Sequence, residues 1–395
     1  MRLRIASFNV ENLAARNSYG PVERPETAPA LSLFDFPEEE TRDTVQASVA
    51  VAVEDDKREL TGLAIGETRA DILVLQEIDN LGVLQAFFAN YVHRVADKTY
   101  GHFKLVNGND PRGIDVAFAA RRDLVESAAV KARSYHETTF GELGLHTPAL
   151  EARGIGADAL VFNRDCLEVS LDLGEAELTL FLCHFKAKSY RKDGSETTLD
   201  IREAEAKAVR RIVENRFGEG WREANWIVAG DLNDFRCRIL PGSEVAACEA
   251  TPIDVLFDDF GFNVMDALPE SERWTYFHRD TSNPEGVREE HVQLDYLLLS
   301  PALVAMNPTP HVEVLRRGLP YRVPLDPAAP DRSIAYLSSR ADRYPRVGWD
   351  RPKASDHCPV VVELDIPSRR EIPPREGGAE TGASAPARVG RNHGA

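Results

Sequence analysis

The residues best equipped for chemistry in this chain each stand at the end of a short apolar run. In order they are Asn9 in IASFNVEN, Glu77 in ADILVLQEIDN and His184 in LTLFLCHFKAK. Then come Asp231 and Asn233 in WIVAGDLND, Asp295 in VQLDYLLLS, and Asp356–His357 in ASDHCPVVVEL. Carboxylates and amides are hard oxygen donors of the kind that hold Mg²⁺ or Mn²⁺. Imidazoles can donate to a phosphate oxygen. Together these groups suit metal-assisted hydrolysis of a phosphate ester, provided the fold brings them to one rim.

The runs that carry them have strand length and β-rich composition. Strands are expected at 2–10, Ile72–Gln76, Phe103–Val106, Ile114–Ala120, Leu167–Leu173, Glu177–His184 and Trp226–Ala229. Further strands are expected at Trp274–His278, Gln293–Ser300, His311–Leu315 and Val360–Leu364. Helical spacing of apolar residues marks Lys57–Glu67, Asn80–Ala89 and, most clearly, Leu199–Phe217. Many strands with few long helices predict a β-sandwich with helices outside. One domain is read over 1–366, with insertions near 17–56 (helical in part from Glu38 to Val53), 131–158 and 316–353. The segment 367–395 is rich in Pro, Gly, Ala and Arg and is expected to be a disordered tail.

The formal net charge of −17 repels polyanions at long range. A tight, sequence-independent duplex binder is usually basic, so this composition weighs against one. Five cysteines without a CxxC pair are expected to be unpaired thiols rather than a disulfide framework. With a strand pattern at the N-terminus and no run of about 18 apolar residues, the expected compartment is the cytoplasm.

In this order the motifs resemble those of the endonuclease/exonuclease/phosphatase superfamily, the deoxyribonuclease I-like enzymes, from about Arg2 to Asp365. GDxN or SDH alone is a weak signal; the ordered set, each on its strand end, is specific. QEIDN, HFKAK and GDLND are similar to the bacterial secreted-nuclease branch, although the signal peptide of that branch is not seen. GDLN followed by Arg236 is similar to inositol-polyphosphate phosphatases, but GWDRPKASDH stands in place of their second signature. The resemblance implies an α/β (α+β) fold. This would be a four-layer α/β sandwich, two central, mostly antiparallel β-sheets flanked by helices, with the site at one edge.

It also implies roles. Glu77, Asp356 and Asn9 would hold the metal, Mg²⁺ or Mn²⁺, with Ca²⁺ a further option. Asp231 would orient or deprotonate the attacking water, and Asn233 would bind the phosphate or a metal water. His184 and His357 would face the scissile phosphate, with Asp295 fixing the imidazole of His357. Asn9, Arg112 and Lys186 would contact substrate, and Asp115 would partner His184. Arg112–Asp115 reads equally as a turn entering a strand. Asn12 reads as a metal-side amide or as a cap. Cys183 and Cys358, beside the two histidines, are expected to be core residues.

Three function classes follow: a nuclease acting on DNA or RNA phosphodiesters, a phosphomonoesterase or lipid-headgroup phosphodiesterase, and an inactive binding scaffold. The scaffold loses ground because every expected polar position is filled. Arginines at 316, 317, 322, 340, 343, 346 and 351 would give a nucleic-acid groove its local charge, or would be balanced by Asp326, Asp331, Asp342 and Asp350.

Overall fold

The computed structural model describes residues 1–14, 38–191, 195–243, 246–280, 288–328 and 342–367. Most of the 17–56 insertion before Glu38, and the tail beyond Pro367, lie outside them. In chain order the strands are β1 (Arg2–Leu13), β2 (Ile72–Ile78), β3 (Tyr100–Leu105), β4 (Asp115–Arg121), β5 (Val130–Ser134), β6 (Cys166–Asp172), β7 (Glu177–His184) and β8 (Trp226–Asp231). They continue with β9 (Cys237–Ile239), β10 (Ala246–Cys248), β11 (Phe262–Asn263), β12 (Tyr276–Asp280), β13 (Arg288–Val292), β14 (Asp295–Leu299), β15 (His311–Val314) and β16 (Val360–Asp365).

Two six-stranded sheets carry the fold, in the orders β15-β16-β1-β2-β4-β3 and β11-β14-β8-β7-β6-β5. Each sheet has one parallel pair at its centre, β1 with β2 and β7 with β8, and is otherwise antiparallel. Period-two alternation decides the layering. Leu3 and Ile5 of β1, Ile72 and Val74 of β2, and Leu180 and Leu182 of β7 share one core between the sheets. Ala6, Phe8, Leu73 and Leu75 turn outward onto Leu60, Ala64 and Ile65 of the helix Glu39–Thr68. Phe181, Cys183 and Val228 of the other sheet turn onto Ala208, Val209 and Ile212 of the helix Leu199–Phe217. Helix, sheet, sheet and helix therefore form the four layers expected.

Several details depart from the sequence reading. The helix begun at Lys57 and the partly helical Glu38–Val53 are one continuous helix, Glu39–Thr68. The stretch 131–158 is not only loop: it contains most of β5 and a short helix, Pro148–Ala152. A small four-stranded sheet, β10-β9-β13-β12, stands apart from the sandwich. Its β9 and β10 pair Cys237 with Cys248, and those two residues form a disulfide. That corrects the expectation of unpaired thiols; Cys166, Cys183 and Cys358 are free and buried. No helix among the described residues is long and apolar enough to cross a membrane.

Candidate active site

The central strands of both sheets end at one edge of the sandwich, and the chemistry sits there. In the parallel register of β7 with β8, His184 lies beside Asp231. In the antiparallel register of β14 with β8, Asp295 lies on the other side of Asp231. β1 delivers Asn9, and the end of β2 delivers Glu77 from the opposite sheet.

Asp231 Oδ2 is the point of convergence. It accepts from Asn9 Nδ2 at 3.0 Å and Asn233 Nδ2 at 3.3 Å, and it lies 3.4 Å from His184 Nε2 and 3.9 Å from His357 Nε2. Its other oxygen accepts the Asn233 backbone N–H at 2.8 Å. Burial alone would raise the Asp231 carboxyl, but the hydrogen bond to His184 and the charges of both imidazoles pull it down to about 2. Asp231 is thus a carboxylate throughout the neutral range. So low a value makes it a poor proton acceptor and a good orienting group.

The two histidines differ. Burial and the nearby Arg164 guanidinium lower His184, against the pull of Asp231 and Glu77, so its imidazole is neutral. His357 is also buried, which would lower it, but Asp295, Asp231 and Asp356 raise it well above its ordinary value. Its Nδ1 lies 2.8 Å from Asp295 Oδ2, the orienting contact expected from the sequence. The pair offers one neutral imidazole and one imidazolium on a single carboxylate.

Local backbone strain marks the same place. Glu11, Asn12, Glu77 and Asn233 all have left-handed backbones, with φ of 53°, 59°, 67° and 49°. Such conformations are costly for residues with a Cβ and cluster where geometry serves chemistry. Strand β8 ends at Asp231, so Asn233 reaches the site through a turn.

Other expected residues are placed as follows. Glu77 Oε2 accepts the Asn12 backbone N–H at 2.8 Å, and Oε1 lies 3.4 Å from Asn9 Nδ2. Asn9 turns its amide N–H groups to the carboxylates and its oxygen to the Glu11 N–H, at 3.0 Å, so its contacts brace the site. Asp115 accepts from the Gly108 N–H at 2.8 Å, while His184 Nδ1 has no hydrogen-bond partner, so the expected contact between them is not made. Burial, with Asp165, Asp110 and Asp79 nearby, pushes Asp115 up to about 6. Arg112 is paired with Asp110 at 2.9 Å. Of the two lysines in HFKAK, Lys188 lines the cleft, whereas Lys186 donates its backbone N–H to Glu205.

Glu77, Asp356, Asn233 and His357 open into a cleft of about 450 Å³. Two carboxylates in one cleft are a donor set that fits Mg²⁺, which commonly keeps several waters and takes only one or two carboxylates. Among the described residues no three His, Cys, Asp or Glu side chains form a metal-binding group by themselves. Burial raises Asp356, but His357 and Lys353 outweigh it and hold the carboxyl below its usual range.

Sequence reasoning missed the braces. Arg164, 2% exposed, donates to the carbonyls of His184 and Phe185 at 3.3 and 2.6 Å. Phe185 O also accepts Asn233 Nδ2 at 2.9 Å, so one backbone carbonyl ties Arg164 to the site. Ser355 Oγ donates to Asn9 O at 2.7 Å and accepts the His357 N–H at 3.1 Å. Lys353 reaches Glu11 at 3.0 Å. Ser355 is the serine of the ASDH motif and Lys353 immediately precedes it, both in plain view; nothing in the sequence singles out Arg164.

Residues 52–357 match the model of the Endonuclease/Exonuclease/phosphatase family. The chain belongs to that family. Several solved structures are similar to it. The chain is 14% identical to truncated Caenorhabditis elegans TDP2, covering 92% of this chain and 97% of that one, with a TM-score of 0.45. It is 11% identical to an endonuclease/exonuclease/phosphatase from Bacteroides vulgatus, covering 93% and 100%, with a TM-score of 0.48. It is 13% identical to the AP endonuclease LMAP of Leishmania major, covering 93% and 88%, with a TM-score of 0.46. No curated protein matches the chain. Family membership supports a hydrolase acting on phosphate esters.

The arginine-rich segment does not form a free basic surface in the residues described. Arg343 is buried and donates to the carbonyls of Leu319, Pro320 and Val323. Arg316 pairs with Glu272, Arg317 with Glu67, Arg322 with Asp350, and Arg346 with Asp56 and Glu59. Arg351 is exposed, and Arg340 lies outside the described residues.

Proposed function

We propose that this member of the family is a divalent-metal-dependent phosphodiesterase of nuclease type. Glu77 and Asp356 would hold Mg²⁺ or Mn²⁺ in the cleft. When bound, the ion supplies charge neutralisation at the phosphoryl oxygens. The observation that carries the reading is the convergence of two imidazoles and two carboxamides on the single carboxylate Asp231.

In the reaction a water oxygen forms a bond to phosphorus as the ester P–O bond on the opposite side breaks. Asp231, ionised and fixed by Asn9 and Asn233, orients the water for in-line attack. Imidazolium His357, held by Asp295, donates to a non-bridging oxygen whose charge grows in the transition state. Neutral His184, braced through its carbonyl by Arg164, stands on the other side of Asp231 as a second donor. The water's proton leaves to solvent, and the leaving oxygen takes one up.

The test is hydrolysis of bis-p-nitrophenyl phosphate by metal-stripped enzyme, before and after Mg²⁺ is restored. Activity should vanish and return; undiminished turnover after chelation would refute the reading. The Cys237–Cys248 bond weighs against the cytoplasm expected from the sequence and for an oxidising compartment.

A further inference from the structure

The cleft has a wall that the hydrolytic machinery does not use. Tyr190, Phe235, Tyr276 and His278 line it, together with Lys188. None of the three aromatic residues belongs to a hydrophobic cluster of the fold among the described residues. Tyr190 is 58% exposed, an unusual position for a large ring with no packing duty. Phe235 follows Asn233 by two residues and rides on the same turn. Lys188 Nζ sits 4.0 Å from its ring centroid. The Tyr276 ring lies 4.9 Å from the His357 imidazole. Aromatic surface therefore begins at the catalytic imidazole and continues along the cleft.

Charge in the same place is already engaged. Lys188 is 2.7 Å from Asp234, Arg202 is 2.8 Å from Asp234, and Arg236 is 2.7 Å from Asp254. The cleft's own Glu11, Glu77, Glu290 and Asp356 are acidic. A long phosphate backbone or an inositol polyphosphate needs free cations, and these are committed to carboxylates. A choline headgroup would meet aromatic rings through its cation, but Lys188 already stands over the Phe235 ring, and such a headgroup brings no planar ring to stack. A nucleobase does, and base–aromatic stacking needs no free cation.

We propose that this wall binds the planar base next to the scissile phosphate, so that the substrate is a single-stranded, nucleoside-bearing phosphodiester of one or a few nucleotides. The proposal rests on the phosphodiesterase reading above. It makes Phe235 and Tyr190 the residues that set specificity.

The test compares kcat/KM, with Mg²⁺, on thymidine 5′-(p-nitrophenyl phosphate) and on methyl p-nitrophenyl phosphate. Both release the same phenolate, so their ratio reports the thymidine side alone. The native ratio should be about tenfold or more, should fall by about tenfold in Phe235→Ala and Tyr190→Ala, and should survive in Phe235→Trp. A native ratio near one, or a ratio unmoved in the alanine variants, overturns base binding and leaves the phosphodiesterase reading intact. Absence of Mg²⁺-stimulated hydrolysis of both esters overturns that reading instead. Base binding is then decided by equilibrium binding of thymidine 5′-monophosphate: about tenfold weakening in Phe235→Ala supports it, and no binding or equal binding overturns it.

Discussion

Asp231 is the residue on which the others depend, because two carboxamides donate to one of its oxygens and both imidazoles lie 3.4 and 3.9 Å from it. Asp231→Asn keeps the volume and removes the charge that orients water and supports both imidazoles. We expect kcat to fall by about 10²- to 10⁴-fold, the usual range for one electrostatic or acid–base group. Glu77→Ala should fall in the same range, since a cleft-facing carboxylate serves the metal and not the core. The melting curve of Glu77→Ala should stay close to the parent; near-normal kcat at saturating Mg²⁺ in either variant would refute its assignment. Asp115 makes a different prediction. Its carboxyl is raised to about 6 when folded, against about 3.9 in an unfolded chain. Between those values the unfolded chain ionises first, so stability is lost as pH rises from about 4 to about 6 and stays lost above. Asp115→Asn removes that titration while its side-chain oxygen can still accept from Gly108. The variant should gain little below about pH 4, gain progressively to about pH 6, and hold a constant advantage of up to about 3 kcal/mol beyond. Parallel urea melts from pH 4 to 8 measure this; a pH-independent difference would contradict it.

At the scale of elements, the helix Leu199–Phe217 does more than cover a sheet. Its Arg202, with no exposed surface, binds the equally buried Asp234 at 2.8 Å and Glu196 at 2.6 Å. Asp234 adjoins Asn233, so the helix anchors the turn that completes the site. Arg202→Met leaves a buried carboxylate with only Lys188 and the Phe235 backbone N–H as partners and should cost roughly 3 kcal/mol. Adding Asp234→Leu should recover part of the loss, which a urea-denaturation comparison of the single and double variants will show. No recovery would mean that the pair is not the source of the effect. This helix, including both its bounds, was legible in the sequence because its apolar face repeats over five turns. The central strands were legible for the same reason, and the site residues stood out as polar groups ending apolar runs. Strands β9 and β10 are three residues each, too short to show any period, and the disulfide between them went unread. The direction of the Asn9 carboxamide and the hidden Arg164 depend on carbonyls and carboxylates that meet only in the folded chain.

The whole molecule separates the two readings left open for the arginine-rich segment. Arg317 pairs with Glu67 and Arg346 with Asp56 across separations of 250 and 290 residues. Local counting of Asp and Arg cannot see such partners. With these cations paired within the fold and a formal net charge of −17, the described part of the segment leaves little free positive charge for a polyanion. The consequence is measurable in salt. A protein that tracks a nucleic-acid backbone with several free Lys and Arg side chains releases counterions, and its affinity drops steeply as salt rises. Here log KM for a ten-nucleotide single strand should change with log salt by a slope of no more than about 1, the value for about one phosphate contact. Steady-state assays at fixed free Mg²⁺ from about 50 to 200 mM NaCl cover the range over which a six-contact single-strand binder would lose about three-hundredfold. Neutralising Arg346 to Gln should leave the slope unchanged, and should lower stability only slightly, because its pairs with Asp56 and Glu59 lie on the surface. A slope of several units, reduced in Arg346→Gln, would restore the backbone-tracking groove that the arginine count suggested.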